Sequence, residues 1–103
     1  MAVIERFYPV SPEYLLNAVY DVAEMRKAKV TKTPEENSEV SEVEFVTEMY
    51  QIKTSYLFRL LRETKGTTLT VESGGDEKNA LRDVQLMFTV LDGFANQLIT
   101  DSK

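Results

Sequence analysis

Apolar positions along the chain change period several times, and each change marks an element. Residues 2 to 8, AVIERFY, mix apolar and charged positions and predict a first strand, ended by Pro9 and Pro12. Ser11 stands where a helix N-cap belongs, with Pro12 at the first helical position and Glu13 in the first turn, where its charge suits the helix dipole. Leu15, Val19 and Val22 fall on one face of that helix, Leu16 and Ala23 widen the stripe, and the pattern runs to about Met25. KAKVTKT predicts a short strand, and TPEENS a turn built from Pro34, Asn37 and Ser38.

Two periods compete over SEVEFVTEMYQI. Pleated as a strand, Val43, Phe45, Thr47 and Met49 line one face and Glu42, Glu44, Glu48 and Tyr50 the other, with Val46 the exception. Coiled as a helix, Ser41 and Glu44 make a capping box, Val43, Val46 and Tyr50 follow helical spacing, and Gly66 becomes a C-cap. The strand is favoured because TSYLFRLLRE and TTLTVES flank Lys65-Gly66, which reads as a tight hairpin turn with Gly66 at positive φ. A two-residue loop there sets Thr64 against Thr67, Leu60 against Val71, Arg62 against Leu69 and Arg59 against Glu72; a three-residue loop with a bulge shifts this register. Tyr56, Phe58, Leu60, Leu69 and Val71 then share one face. The other carries an Arg59–Glu72 ion pair with Leu57, Leu61 and Thr70. SGGD closes the strand, Gly74 and Gly75 turning the chain and Asp76 capping a helix from 77 to about 100. In that helix Leu81, Val84, Phe88, Leu91, Ala95 and Leu98 alternate spacings of three and four, and Met87, Val90 and Phe94 add a second stripe, so two buried sides are expected. Gly93 within it reads either as a close approach or bend, or as a glycine without a role.

The order strand, helix, four further strands, long apolar helix resembles the helix-grip fold of the START and polyketide-cyclase-like superfamily. The residues that carry the resemblance are the S-P-E-x-L-L opening of the first helix, the pair TSYLFRLLRE and GTTLTVES, and the closing NALRDVQLMFTVLDGFANQL. What the resemblance implies is an α+β class, with a curved antiparallel sheet packed on a long C-terminal helix and an apolar ligand held between them. This chain is short for such a fold, so a small cavity or a filled core is expected.

Composition narrows the chemistry. A chain of 103 residues with 43% hydrophobic and 28% charged residues suits a single domain over residues 1–103 with its own core. A net charge of -5 speaks against a nucleic-acid partner, which needs clustered cations for counterion release. No run approaches the length of a membrane span, and MAVIERFYPV lacks the features of a secretory signal, so the cytoplasm is the expected compartment. With no Cys and no His, thiol nucleophiles, thiolate or imidazole metal sites and histidine bases are excluded within the chain. No cofactor, metal or catalytic residue is expected. The acidic run PEENSEVSEVE lacks the ligand spacing of a calcium loop and reads as a solvated turn and charged edge. Asp76 and Glu77 make SGGD unsuitable as a phosphate nest.

Two surfaces remain as candidates. The inward set Phe45, Met49, Tyr56, Phe58, Met87, Leu91 and Phe94 either lines an apolar ligand pocket, with Tyr56 as polar handle, or is plain core. On the outer face Leu57 and Leu61, with Val46 and Tyr50, form an interface candidate suited to a homodimer. The leading function is therefore non-enzymatic binding of an apolar ligand or a protein partner. The alternative is a structural or regulatory interaction protein with a solid core acting as a homodimer, and a minimal enzyme built on Tyr56 and a buried carboxylate is a third reading.

Overall fold

The elements follow the order read from the periodicity: β1 (Ala2–Tyr8), α1 (Pro12–Met25), β2 (Lys29–Lys32), β3 (Val40–Met49), β4 (Ile52–Glu63), β5 (Gly66–Ser73) and α2 (Glu77–Asp101). The structure, a computed structural model, describes residues 2–35, 39–49, 51–74 and 77–101. Asn37, Ser38, Tyr50, Gly75 and Asp76, to which a turn, an interface and a cap were assigned, lie outside these, as do the side chains of Met49, Ala95 and Leu98. All strands pair antiparallel in the order β1-β5-β4-β3-β2, so the first strand closes against the last.

Pleating wins over coiling at residues 41–49. β3 pairs with β4 from Val40–Leu61 to Met49–Ile52, and the alternation puts Val43 and Phe45 fully inside while Glu42 and Glu44 face out. The hairpin between β4 and β5 departs from the expected register. Its loop is Thr64-Lys65, Glu63 pairs with Gly66, and the facing pairs are Leu60–Leu69, Phe58–Val71, Arg62–Thr67 and Arg59–Thr70. The displacement is two residues in pairing, an even number, so every side chain keeps its predicted face. Arg59 and Glu72 are diagonal rather than opposite, yet still meet at 3.4 Å. Positive φ is found at Lys27 (53°) and Gln51 (67°) but not at Gly66. Gly66 is required for another reason: a Cβ there would collide with the carbonyl oxygen of Tyr8 and come within 2.8 Å of Phe7 Cζ.

Ser11 caps α1 as expected, its Oγ accepting from the Tyr14 N–H at 3.5 Å. At the other end Lys27 N–H donates to Glu24 O and Ala28 N–H to Ala23 O, a Schellman closure with lysine where glycine is usual. Between these ends α1 lies along β4. Arg62 pairs with Glu13 near the start and Arg26 meets Tyr56 at the finish, and the ~20 Å rise of helix from Glu13 to Arg26 matches the ~20 Å run of strand from Arg62 to Tyr56. Leu15, Ala18, Val19, Val22 and Ala23 are at most 3% exposed against the inner sheet face. Thus α1 fills the hollow of the sheet.

α2 packs against α1, β1 and β5. Val84, Met87, Phe88 and Leu91 are buried, but Leu81 is 47% exposed, and Val90 and Phe94 are only partly covered. The expectation of two fully buried sides is corrected accordingly: α1 already occupies the central strands, leaving α2 a place over β1 and β5 only. Gly93 meets nothing within 4 Å, so it marks no close approach.

Candidate functional site

The inner face gathers the aromatic part of the predicted pocket set. Phe45 and Tyr56 are cross-strand partners, as are Val43 and Phe58, and the ring of Phe45 stacks on Phe58 at 5.0 Å and tilts against Tyr56 at 5.5 Å. Tyr56, Phe58, Phe45, Met87 and Leu91 are each at most 2% exposed in one continuous core with α1, and Phe94 packs half-buried against it. These residues are packed on one another. A cleft of about 280 Å³ lies elsewhere, between the β1–α1 loop (Pro9, Val10, Ser11) and the hairpin residues Arg62–Gly66, and a second of about 50 Å³ lies among Lys32, Thr33, Glu35, Val40 and Glu42. Neither is lined by the predicted pocket residues.

Two polar groups on the inner face escaped the sequence reading. At the β1–α2 contact Asp92 accepts from the Tyr8 hydroxyl and from Arg6 Nη1 at 2.5 Å, while the Arg6 guanidinium lies 4.7 Å from the centre of the Phe88 ring. Burial, and then the bond to Asp92, push the Tyr8 hydroxyl well above its ordinary pKa of 10.0. This cluster clamps the closing helix to the first strand. The second group is Arg26, whose Nη2 donates to the Tyr56 hydroxyl at 3.4 Å and whose Nε is buried without an acceptor among the described residues. Both pairings join residues 30 or more apart in the chain, and periodicity carries no signal for contacts of that kind.

The outer face is organised in rows across the strands. One row reads Glu5, Thr70, Arg59, Glu42 by pairing, and Glu42 bridges Lys32 and Arg59, each at 2.9 Å, while Arg59 reaches Glu72. Hydrogen bonds from Lys32, then from Arg59, hold the Glu42 carboxyl below its ordinary pKa of 4.5. The next row reads Phe7, Thr68, Leu61, Val40. Phe7 is 51% and Leu61 40% exposed, and Val40 is half-buried. Of the predicted interface residues, Leu61 lies in this row, while half-buried Leu57 and Val46 lie on the same face beyond the ionic row. Phe7 was missed because AVIERFY shows no clean alternation. Among the described residues no group of acidic side chains is placed to hold a metal ion, and no helix is long and apolar enough to cross a membrane.

No protein-family model and no curated protein matches the sequence. The crystal structure of Ara h 8.0201 is similar in fold, with a TM-score of 0.62 at 17% identity over 96% of this chain and 97% of that one. The likeness supports the α+β helix-grip class, with its antiparallel sheet and packed helices. The crystal structure of TTHA0849 from Thermus thermophilus aligns over 99% of both chains at 15% identity, but with a TM-score of 0.38, from which no shared fold follows.

Proposed function

We propose that this chain is a non-enzymatic interaction domain that works as a homodimer, two copies meeting through the outer faces of their sheets. The observation that carries the reading is the apolar row of Phe7, Leu61 and Val40 running across four strands beside charges that are already paired. An antiparallel sheet covered on one side usually presents polar residues on the other, and apolar exposure there points to a partner. The pairing of Lys32, Glu42, Arg59 and Glu72 cancels much of the charge at this patch, so the repulsion left between two copies comes from the net charge of the whole chain. Five strands of about eight residues present a face of roughly 600 Å², close to the ~800 Å² per partner of a standard interface.

Binding of an apolar small molecule inside the sheet is the second reading, supported by the helix-grip fold and the inward aromatic set. It is the less favoured, because Phe45, Tyr56, Phe58, Met87 and Leu91 are closed under α1 and a ligand would have to displace them. Sedimentation velocity over a concentration series tests the leading proposal. The wild type is expected to approach twice its 11.8 kDa and Leu61→Lys to remain single with an unchanged circular dichroism spectrum. A wild type that stays monomeric throughout the series contradicts it.

A further inference from the structure

The two edges of the sheet are built differently. At one edge β2 has 4 residues, all exposed, with Lys29 and Lys32 at its ends and a break in register between Val30 and Lys32. Shortness, lysine and a bulge are common means of keeping an edge from pairing further. At the other edge β1 has 7 residues in unbroken register with β5. Alternate residues of an antiparallel strand turn their N–H and C=O groups away from the neighbour, and among the described residues no backbone bond takes up those groups on the far side of β1.

The side chains along this edge form a pattern. Val3, Glu5 and Phe7 alternate on its outer side, with Val3 54% and Phe7 51% exposed. Glu5 between them accepts from the Thr70 hydroxyl at 3.5 Å and pairs with no cation among the described residues. On the inner side, β5 ends at Ser73 beside Ala2, so α2 runs from that end of β1 toward Tyr8, where Asp92 meets it. Leu81 stands about two turns before Phe88 on the same helical face. Phe88 lies against Arg6 of β1, so the exposed Leu81 overhangs the Ala2–Ile4 end of the edge.

We infer that β1 takes up an extended segment of a partner protein as an added antiparallel strand, one that carries a cation between two apolar residues at alternate positions. Backbone bonds supply the attachment and the alternate side chains the selectivity. Apolar residues of the segment lie against Val3 and Phe7, and its Lys or Arg lies against Glu5. A second copy of β1 does not fit: the two-fold register that sets Val3 against Phe7 also sets Glu5 against Glu5, and like charges directly opposite destabilise. The net charge of -5 also draws in a basic segment. Edge pairing lies in the plane of the sheet and the proposed dimer contact lies on its face, so either can fail without the other.

The test is titration of the full chain with a capped threonine peptide as long as β1, with lysine at its centre and valine two places to either side, followed by two-dimensional NMR. Saturable shifts are expected in the amides of β1 and the methyls of Leu81, with slowed amide exchange at alternate residues of β1. Methylating the peptide nitrogens of one alternate set should abolish binding, and of the other set leave it intact. Glutamate in place of the central lysine should weaken binding severalfold, and Glu5→Lys should reverse that preference. Absence of saturable shifts, shifts confined to β2 or to Leu57 and Leu61, equal effects of methylating either set, or an unreversed preference in Glu5→Lys would each overturn the assignment. The two methylated peptides use the wild-type chain and so decide the matter even if Glu5→Lys does not fold.

Discussion

At the scale of single residues, Gly66 and Gly93 behave oppositely for a steric reason. Gly93 is exposed in a helix with nothing near its missing Cβ, so Gly93→Ala should raise stability by about 1 kcal/mol, as thermal or urea unfolding will show. Gly66 sits under the backbone of Tyr8, and Gly66→Ala should destabilise by more than ~2 kcal/mol because backbone, not a mobile side chain, must give way. The sequence offers Gly66 a turn and leaves Gly93 undecided; the reason for the difference is written in a neighbour far off in the chain, as is the bond by which the Thr67 hydroxyl donates to Val10 O. Tyr8 supplies a pH signature. Its proton is held more tightly in the folded chain than its ordinary pKa of 10.0 allows, so its contribution is intact below pH 10 and fades as pH rises further, when the unfolded chain ionises first. Melting temperature should therefore fall above pH 10 less steeply in Tyr8→Phe than in the wild type.

Elements were legible where period and punctuation agreed. Ser11, Pro12 and Glu13 announced the start of α1, and even spacing of Val43 and Phe45 announced β3, because capping and pleating are set by neighbours in the chain. The hairpin register was not legible. Lys65-Gly66 looks like a turn that uses positive φ, whereas the glycine is needed at the crossing of β1, and the loop moves back to Thr64-Lys65. The face assignments survived since only an even displacement preserves them. The aromatic set was found in the sequence, but its role was not, because which layer covers it depends on α1 lying along β4. That placement has a measurable consequence. Leu15 is fully buried between α1 and the sheet, so Leu15→Ala should lose about 2–5 kcal/mol, the range for a core leucine whose cavity cannot collapse. A loss within ~0.5 kcal/mol, the size of an ordinary surface substitution, would mean that α1 does not fill the sheet.

For the whole molecule, fold class and element order were readable because hydrophobic period dictates them, while the exposed row of Phe7, Leu61 and Val40 needed the pairing of four strands to appear. A net charge of -5 opposes self-association at low salt. The dimer should therefore tighten as salt rises toward physiological strength, where the screening length is about 8 Å. The most direct measurement is the methyl NMR spectrum of the wild type followed on dilution. Signals of Leu57 and Leu61 should move together as the concentration falls, while those of Leu15 and Leu91 in the core stay fixed. Spectra unchanged on dilution, or changes confined to the exposed Leu81 and Leu86 of α2, would contradict a contact through the outer sheet face.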